Sequence, residues 1–145
     1  MRLPTTEFFF DEDTVIALHD AVVAKTGGSQ GVRDMGLLSS AVRSPFQSFG
    51  GYDVYPTIYE KAARLGFGLA QNHAFIDGNK RVAAHAMLSY LKANGITLSY
   101  TQKELEDIFL GLAASEVTFD DLVSWIKNHE SPRPCFTPGE NIFSL

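Results

Sequence analysis

Apolar residues recur every three or four positions through most of this chain, and that spacing constrains its fold more than any other feature. Such a period places the apolar side chains of a segment on one face of an α-helix. One segment carries its stripe at Ile58, Ala62, Leu65 and Leu69, and a later one carries its stripe at Leu105, Ile108, Phe109 and Leu112. Because helices with one apolar face bury that face against each other, the sequence predicts an all-α bundle.

Start and stop signals divide this pattern into separate helices. Acidic residues open "DEDTVIALHDAVVAKTGG", and Gly27 with Gly28 ends it. Asp34 is suited to cap "MGLLSSAVRS", and Thr101 opens a capping box in "TQKELEDIFLGLAA". We expect Pro56 in the first turn of "PTIYEKAARLGFGLAQNH", where a proline is tolerated.

The segment "NKRVAAHAMLSYLKANG" is expected to form the central and most buried helix. Its apolar face consists of Val82, Ala83, Ala86, Met87, Tyr90 and Leu91. In the preceding helix, Gly66 and Gly68 each cost about 1 kcal/mol relative to alanine. We therefore expect close helix packing at those two glycines.

One segment interrupts the helical spacing. "FQSFGGYDVYPT" sets two glycines between aromatic and β-branched residues, a pattern typical of a short β-hairpin. The resulting flap is expected to contain Phe49, Gly50, Gly51, Tyr52, Asp53, Val54 and Tyr55. The last segment, 131–145, holds several prolines and no period, so a domain at 1–130 is expected to precede a loosely ordered C-terminal tail.

Charge and composition exclude several classes of protein. The formal net charge is −5 and no basic stripe is present, so nucleic-acid binding is not expected. No apolar run approaches the roughly 20 residues of a membrane span, so no membrane partner is expected. The single cysteine, Cys135, agrees with a reducing compartment, and we expect a cytoplasmic protein.

The stretch "HAFIDGNKR", residues 73–81, concentrates groups that bind and transfer phosphate. Lys80 and Arg81 fall in the predicted first turn of a helix, where positive charge is disfavoured unless an anion is nearby. Gly78 allows close backbone approach, and the N–H groups of a helix start favour phosphate oxygens. Asn79 is suited either to cap this helix or to donate its amide to phosphate. These residues predict a phosphate site.

Asp77 and His73 each allow a structural and a chemical interpretation. Asp77 can cap the helix or pair with Lys80, or it can be a Mg²⁺ ligand beside nucleotide phosphates. The neighbouring cations favour an uncharged imidazole at His73, which can then accept a proton. Phe75, between the two, is expected to anchor the loop in the core. His19 and His129 are expected to have structural roles. His85 lies one turn beyond Arg81 and could face the pocket, although a core or surface role is favoured.

The same nine residues resemble the signature of the Fic/Doc family. Further stretches resemble its death-on-curing (Doc) branch: "VIALHDAVVAKTGG", "RDMGLLSSAVRSP", "FGGYDVYPTIYEKAARL" and "LSYLKANGITL". The resemblance implies a helical Fic/Doc bundle in which His73 is the general base on a target hydroxyl and Asp77 holds Mg²⁺. It also implies an anion hole from Gly78, Asn79 and the helix N-terminus, with Arg81 binding phosphate.

The resemblance leaves two reactions open. Doc-type members resemble protein kinases in outcome and carry a lysine where this chain has Lys80; we interpret that side chain as filling the α-phosphate subsite of AMP transfer. Fic enzymes usually place a second arginine where this chain has Ala84. Gly78, in contrast, is the Fic-type residue. We expect γ-phosphoryl transfer from ATP, with AMP transfer as the alternative.

Partners follow from the resemblance as well. The flap corresponds to a hairpin that docks a segment of the target protein by strand addition. No inhibitory-helix motif is found in the sequence, so an antitoxin is expected to act in trans, and the implied target is a translation elongation factor. A non-catalytic module that binds nucleotide and occupies a partner is the remaining alternative.

Overall fold

Helices form nearly all of the regular structure in the computed structural model, which describes residues 10–132. The helices are α1 (Glu12–Thr26), α2 (Met35–Arg43), α3 (Ile58–Asn72), α4 (Asn79–Ala93), α5 (Gln102–Ala113) and α6 (Phe119–Asn128). A short 3-10 helix, Ser44–Phe46, follows α2. Strands β1 (Ser48–Phe49) and β2 (Tyr52–Asp53) pair between α2 and α3. The prediction of an all-α bundle with a small β-hairpin is confirmed.

Local capping explains where the helices begin. Asp34 accepts a hydrogen bond from the backbone N–H of Leu37, as predicted, and the capping box opened by Thr101 is present at α5. The prediction for Pro56 is wrong, because α3 begins two residues later at Ile58. The reason is the side chain of Thr57, which accepts from a backbone N–H of the first turn and caps the helix instead.

Helix α3, rather than α4, has neighbours on the most sides. It packs against α2, α4, α5 and α6, whereas α4 packs against α1, α3 and α5. The glycines of α3 make this possible: a Cβ on Gly66 would lie 3.3 Å from Met87, and one on Gly68 would lie 3.4 Å from Ala41. The close packing predicted at these glycines is confirmed, and it shifts the centre of the bundle from α4 to the α3–α4 pair.

The hairpin has the predicted turn. Ser48 pairs with Asp53 and Phe49 with Tyr52, and the two glycines between the strands have positive φ angles of 60° and 84°. Positive φ at both central positions is typical of the two-residue turns that match strand twist. The side chains of Phe49 and Tyr52 are 85% and 81% exposed, so the flap presents two aromatic rings to solvent.

Two sequence predictions fall partly or wholly on residues that the structure does not describe. Of the predicted tail, 131–145, only Ser131 and Pro132 are described; Ser131 donates its N–H to the carbonyl O of Thr97 at 2.8 Å. Cys135 lies outside the described residues. Within residues 10–132, none of the helices combines the length and apolar character that crossing a bilayer requires.

Candidate active site

A cleft of about 300 Å³ opens at the N-terminal end of α4. The structure brings together there all the residues predicted for catalysis, phosphate binding and metal binding: His73, Asp77, Gly78, Asn79, Lys80 and Arg81. The flap, residues 49–55, does not contribute to the lining of this cleft in the described part of the chain. The residues predicted to be catalytic therefore line the cleft, and the residues predicted to dock the target lie on a separate surface.

The start of α4 is open to an anion. Gly78 is the N-cap with φ 77°, and no side chain in the described part of the chain caps the helix, so the first N–H groups are available to a ligand. Lys80 and Arg81 stand in the first turn, as the sequence predicts. The positive end of the helix dipole and two cations thus coincide, an arrangement that favours phosphate.

Asn79 shapes the loop ahead of the helix. Its Oδ1 accepts from the backbone N–H of Phe75 at 3.0 Å, and its Nδ2 donates to the carbonyl O of Phe75 at 3.1 Å. Phe75 itself is buried at 2% exposure, as expected of an anchor. The carboxamide therefore closes the loop on itself, and a phosphate contact from its second N–H stays a prediction.

His73 ends α3 in a left-handed conformation, with φ 51° and ψ 45°. For a residue other than glycine this conformation costs about 1–2 kcal/mol. Hydrogen bonds to the neighbouring backbone stabilise it. The carbonyl O of His73 accepts from Nε of Arg33 at 2.9 Å, and the next carbonyl, of Ala74, accepts from the N–H groups of Arg33 and Asp34. The backbone is fixed while the imidazole remains exposed beside the anion site.

Asp77 offers a half-exposed carboxylate at the same site. Its Oδ1 accepts from the N–H of Gly78 at 2.8 Å and lies 3.8 Å from Nη2 of Arg81. The ion pair that the sequence allowed with Lys80 is thus formed with Arg81, and at this distance and exposure it is weak. Most of the lone pairs of the carboxylate stay accessible to a cation.

The donor set fits magnesium better than a metal that needs several protein ligands. In residues 10–132, no group of three or more His, Cys, Asp and Glu side chains is arranged to hold a metal ion. Mg²⁺ commonly takes one or two carboxylates and completes its shell with water and substrate phosphates. Asp77, beside the predicted phosphate site, meets that requirement.

Three residues of α1 and the loop after it belong to the site and were not predicted. Nη1 of Arg81 donates to Oγ1 of Thr26. A Cβ on Gly28 would lie 2.6 Å from Oδ2 of Asp77. Nε2 of His19 lies 2.6 Å from the carbonyl O of Asp77. In the sequence, Gly28 was interpreted only as part of the end of α1, because a glycine after a helical segment is typical of a helix stop.

A second cavity, of about 420 Å³, adjoins the cleft. Lys80 and Arg81 line both spaces. The second cavity is otherwise largely apolar, with Leu105 and Phe109 of α5 in its wall and exposed His85 at its side. The two cations therefore stand between the cleft and this cavity, whose wall also includes the polar side chains of Gln102 and Glu106.

Comparisons with known proteins find relatives over most of this chain. A sequence model described as the Fic/DOC family matches residues 9–91, more than half of the chain. A protein named "Toxin Doc" from Mycolicibacterium smegmatis is 37% identical over 121 residues, which cover 82% of this chain and 90% of that protein. "Protein kinase doc" of Escherichia phage P1 is 30% identical over 115 residues, which cover 79% of this chain and 90% of that protein.

Proposed function

The chain belongs to the Fic/Doc family, in its Doc branch, and we propose that it is a toxin that transfers the γ-phosphoryl group of ATP to a serine or threonine hydroxyl of a target protein. The observation that carries this proposal is the shared cleft. An exposed imidazole, a carboxylate and an uncapped helix start with two cations line the same 300 Å³. Phosphoryl transfer requires a base, charge neutralisation and positioning of phosphate, and these groups supply all three.

In the proposed reaction, His73 accepts the proton of the target hydroxyl as its oxygen bonds to the γ-phosphorus. The bond from that phosphorus to the β–γ bridging oxygen breaks, and its electron pair leaves with ADP. The N–H groups of α4 and the guanidinium of Arg81 hold phosphate oxygens. Asp77 would hold Mg²⁺, which neutralises phosphate charge when bound.

The adjoining cavity has room for the rest of a nucleotide. Because Lys80 and Arg81 line both spaces, phosphates bound to them would leave the base and ribose beside Leu105 and Phe109. Apolar walls with a few polar groups at the mouth are typical of small-molecule pockets. ATP is therefore the proposed phosphoryl donor.

Phosphoryl transfer is preferred to AMP transfer because of Lys80 and Ala84. Lys80 stands in the first turn, where its ammonium competes with an α-phosphate for space, and Ala84 is 7% exposed and lacks a charge for distal phosphates. Gly78 favours the second candidate, AMP transfer, because it is the residue typical of Fic enzymes. The relative named "Protein kinase doc" supports the first candidate.

The proposed partners are an antitoxin and a protein target. Both relatives are Doc proteins, and one is named a toxin, so neutralisation by an antitoxin in trans is part of the proposal. By analogy with Doc-type toxins, we propose a translation elongation factor as the target and the cytoplasm as the place of action. Exposed Phe49 and Tyr52 of the flap are the proposed docking residues.

Labelled nucleotide tests the proposal. Purified protein is incubated with Mg²⁺, a lysate of the source organism and either γ- or α-labelled ATP. Label from γ-ATP alone on a protein band supports phosphoryl transfer, and label from α-ATP alone would replace it with AMP transfer. Nucleotide binding with no label from either would reduce the chain to a binding module.

Matched variants sharpen that experiment. Lys80→Ala removes a cation from the cleft, and Lys92→Ala removes an exposed cation from the opposite end of the same helix. The proposal predicts loss of labelling in the first and normal labelling in the second. Equal labelling in both would show that Lys80 does not take part in holding the nucleotide.

A further inference from the structure

A buried histidine contacts the loop that lines the cleft. His19 lies on α1 at 0% exposure. Its Nε2 is 2.6 Å from the carbonyl O of Asp77, and its ring stacks on the ring of Phe75 with centroids 3.9 Å apart and planes 6° apart. A residue on the first helix therefore contacts the loop that carries the proposed metal ligand.

The direction of the hydrogen bond is determined by its partners. A carbonyl oxygen only accepts, so Nε2 of His19 must carry the proton and donate. Among residues 10–132, the other ring nitrogen, Nδ1, is buried without a hydrogen-bond partner, and it lies 3.8 Å from a carboxylate oxygen of Asp20. A buried acceptor without a partner is unfavourable, and a phenyl ring would stack on Phe75 without that cost. Stability of the core alone does not explain a histidine here.

The hydrogen bond acts on a single peptide unit. The carbonyl O of the Asp77–Gly78 peptide accepts from His19, and the N–H of the same peptide donates to Oδ1 of Asp77 at 2.8 Å. Because a peptide unit is planar, fixing the oxygen also fixes the N–H. The orientation of the Asp77 carboxylate is therefore coupled to His19 through one rigid plane.

We infer that His19 is a positioning residue that orients the Asp77 carboxylate and the start of α4 for metal and phosphate. This inference rests on the proposed function for its catalytic consequence. The backbone of Gly78 packs close to the same ring: a Cβ there would lie 3.5 Å from Nε2 of His19. Stacking places the ring under the loop, and the hydrogen bond sets the peptide plane.

Two substitutions separate these contributions. His19→Phe keeps an aromatic ring for Phe75 and removes the donor. His19→Gln removes the ring but can place an amide N–H near the position of Nε2. Val15→Ala serves as a control, because Val15 is buried on the same helix and its side chain forms no hydrogen bond. If His19→Phe fails to fold, His19→Asn replaces it, since the shorter amide cannot reach Asp77.

The primary measurement is hydrogen exchange of the Gly78 amide, which donates to Oδ1 of Asp77, followed by NMR and compared with the exchange rate set by global unfolding. In His19→Phe this amide should exchange about tenfold faster, the equivalent of one lost hydrogen bond. His19→Gln should recover part of the protection, and Val15→Ala should change global stability without changing exchange in the loop. Wild-type protection in His19→Phe, or equal loss in Val15→Ala, would overturn the inference.

Kinetics provide the second measurement. His19→Phe should lower kcat about tenfold and raise the Mg²⁺ concentration needed for half-maximal rate, while KM for the protein target stays unchanged. A rise in target KM with normal kcat would contradict the inference. A wild-type protein that transfers no label would refute the proposed function instead, and the exchange measurement would still decide whether His19 positions the loop.

Discussion

Nζ of Lys61 lies 3.1 Å from Oδ2 of Asp53 and joins α3 to the second strand of the flap. The lysine is 4% exposed, and it also donates to the carbonyl O of Tyr55. A buried ammonium thus holds the flap at two points. Asp53, predicted to dock the target, has an internal partner, whereas Phe49 and Tyr52 point outward. The flap is therefore held to α3 at its base, and its two aromatic side chains are exposed at the turn.

Removing Lys61 and removing Asp53 should lower the free energy of unfolding by different amounts. Lys61→Met keeps the apolar stem and should cost about 1.5–3 kcal/mol of unfolding free energy, the range for a hydrogen bond to a charged group. Asp53→Ala should cost more, up to about 5 kcal/mol, because it leaves the ammonium buried without its carboxylate. Denaturant titration measures both, and a larger loss in Lys61→Met would contradict this explanation.

The same anchor predicts a kinetic effect confined to the target. Lys61→Met should raise KM for the protein target and leave KM for ATP unchanged, because the flap does not line the cleft proposed to hold the nucleotide. Steady-state kinetics with each substrate varied in turn checks this. A change in KM for ATP alone would show that Lys61 acts on the cleft rather than on docking.

His73→Ala should lower the transfer rate by about 10²-fold or more, the usual range for a lost general base. Binding of ATP, measured by calorimetry, should remain, because the proposed phosphate contacts come from the N–H groups of α4 and from the side chain of Arg81. The side chain of His73 is exposed, so the melting temperature should change little. A variant that transfers label at the wild-type rate would remove the imidazole from the reaction.

Local chemistry was readable from the sequence, whereas contacts between distant segments were not. Helix stripes, caps and the residues 73–81 predicted the bundle and the cleft, because the interacting groups are neighbours in the chain. His19 and Thr26 reach the site across 58 and 55 residues, and nothing in their local pattern differs from an ordinary helix. The prediction for Pro56 was wrong for a local reason. Proline and threonine both suit a helix start, and Thr57 caps α3.

Gly28 and Gly27 provide a matched pair of substitutions beside Asp77. Both have positive φ, 113° and 81°, so alanine is strained at either. A Cβ on Gly28 would lie 2.6 Å from Oδ2 of Asp77, whereas one on Gly27 would meet nothing within 4 Å. Gly28→Ala should therefore displace the carboxylate and raise the Mg²⁺ concentration needed for activity. Gly27→Ala should lose stability alone, and equal Mg²⁺ dependence in the two variants would disprove the contact.

The junction of α5 and α6 should show a stability that depends on pH. Nε2 of His129 lies 2.7 Å from Oε2 of Glu104, and Nδ1 donates to the carbonyl O of Trp125 at 2.8 Å. The hydrogen bond from His129 lowers the pKa of Glu104 from 4.5 to about 2. The hydrogen bond to Glu104 likewise raises the pKa of His129 above its usual 6.5. Both ring nitrogens donate, which agrees with an imidazolium.

The directions of these two pKa shifts define the pH range in which the pair stabilises the fold. The contribution of Glu104 is present above pH 4.5 and is lost as pH falls toward 2, and that of His129 is complete below pH 6.5 and is lost as pH rises through its raised pKa. His129→Phe keeps a ring against Trp125, so its melting temperature should fall furthest below wild type near pH 5.5 and converge toward it as pH rises through the raised pKa of His129. Lys103→Met removes an ion pair whose lysine has a pKa raised by Asp107, and its difference from wild type should stay flat over that interval. A constant difference for His129→Phe would mean that packing on Trp125, not the charge pair, joins the two helices.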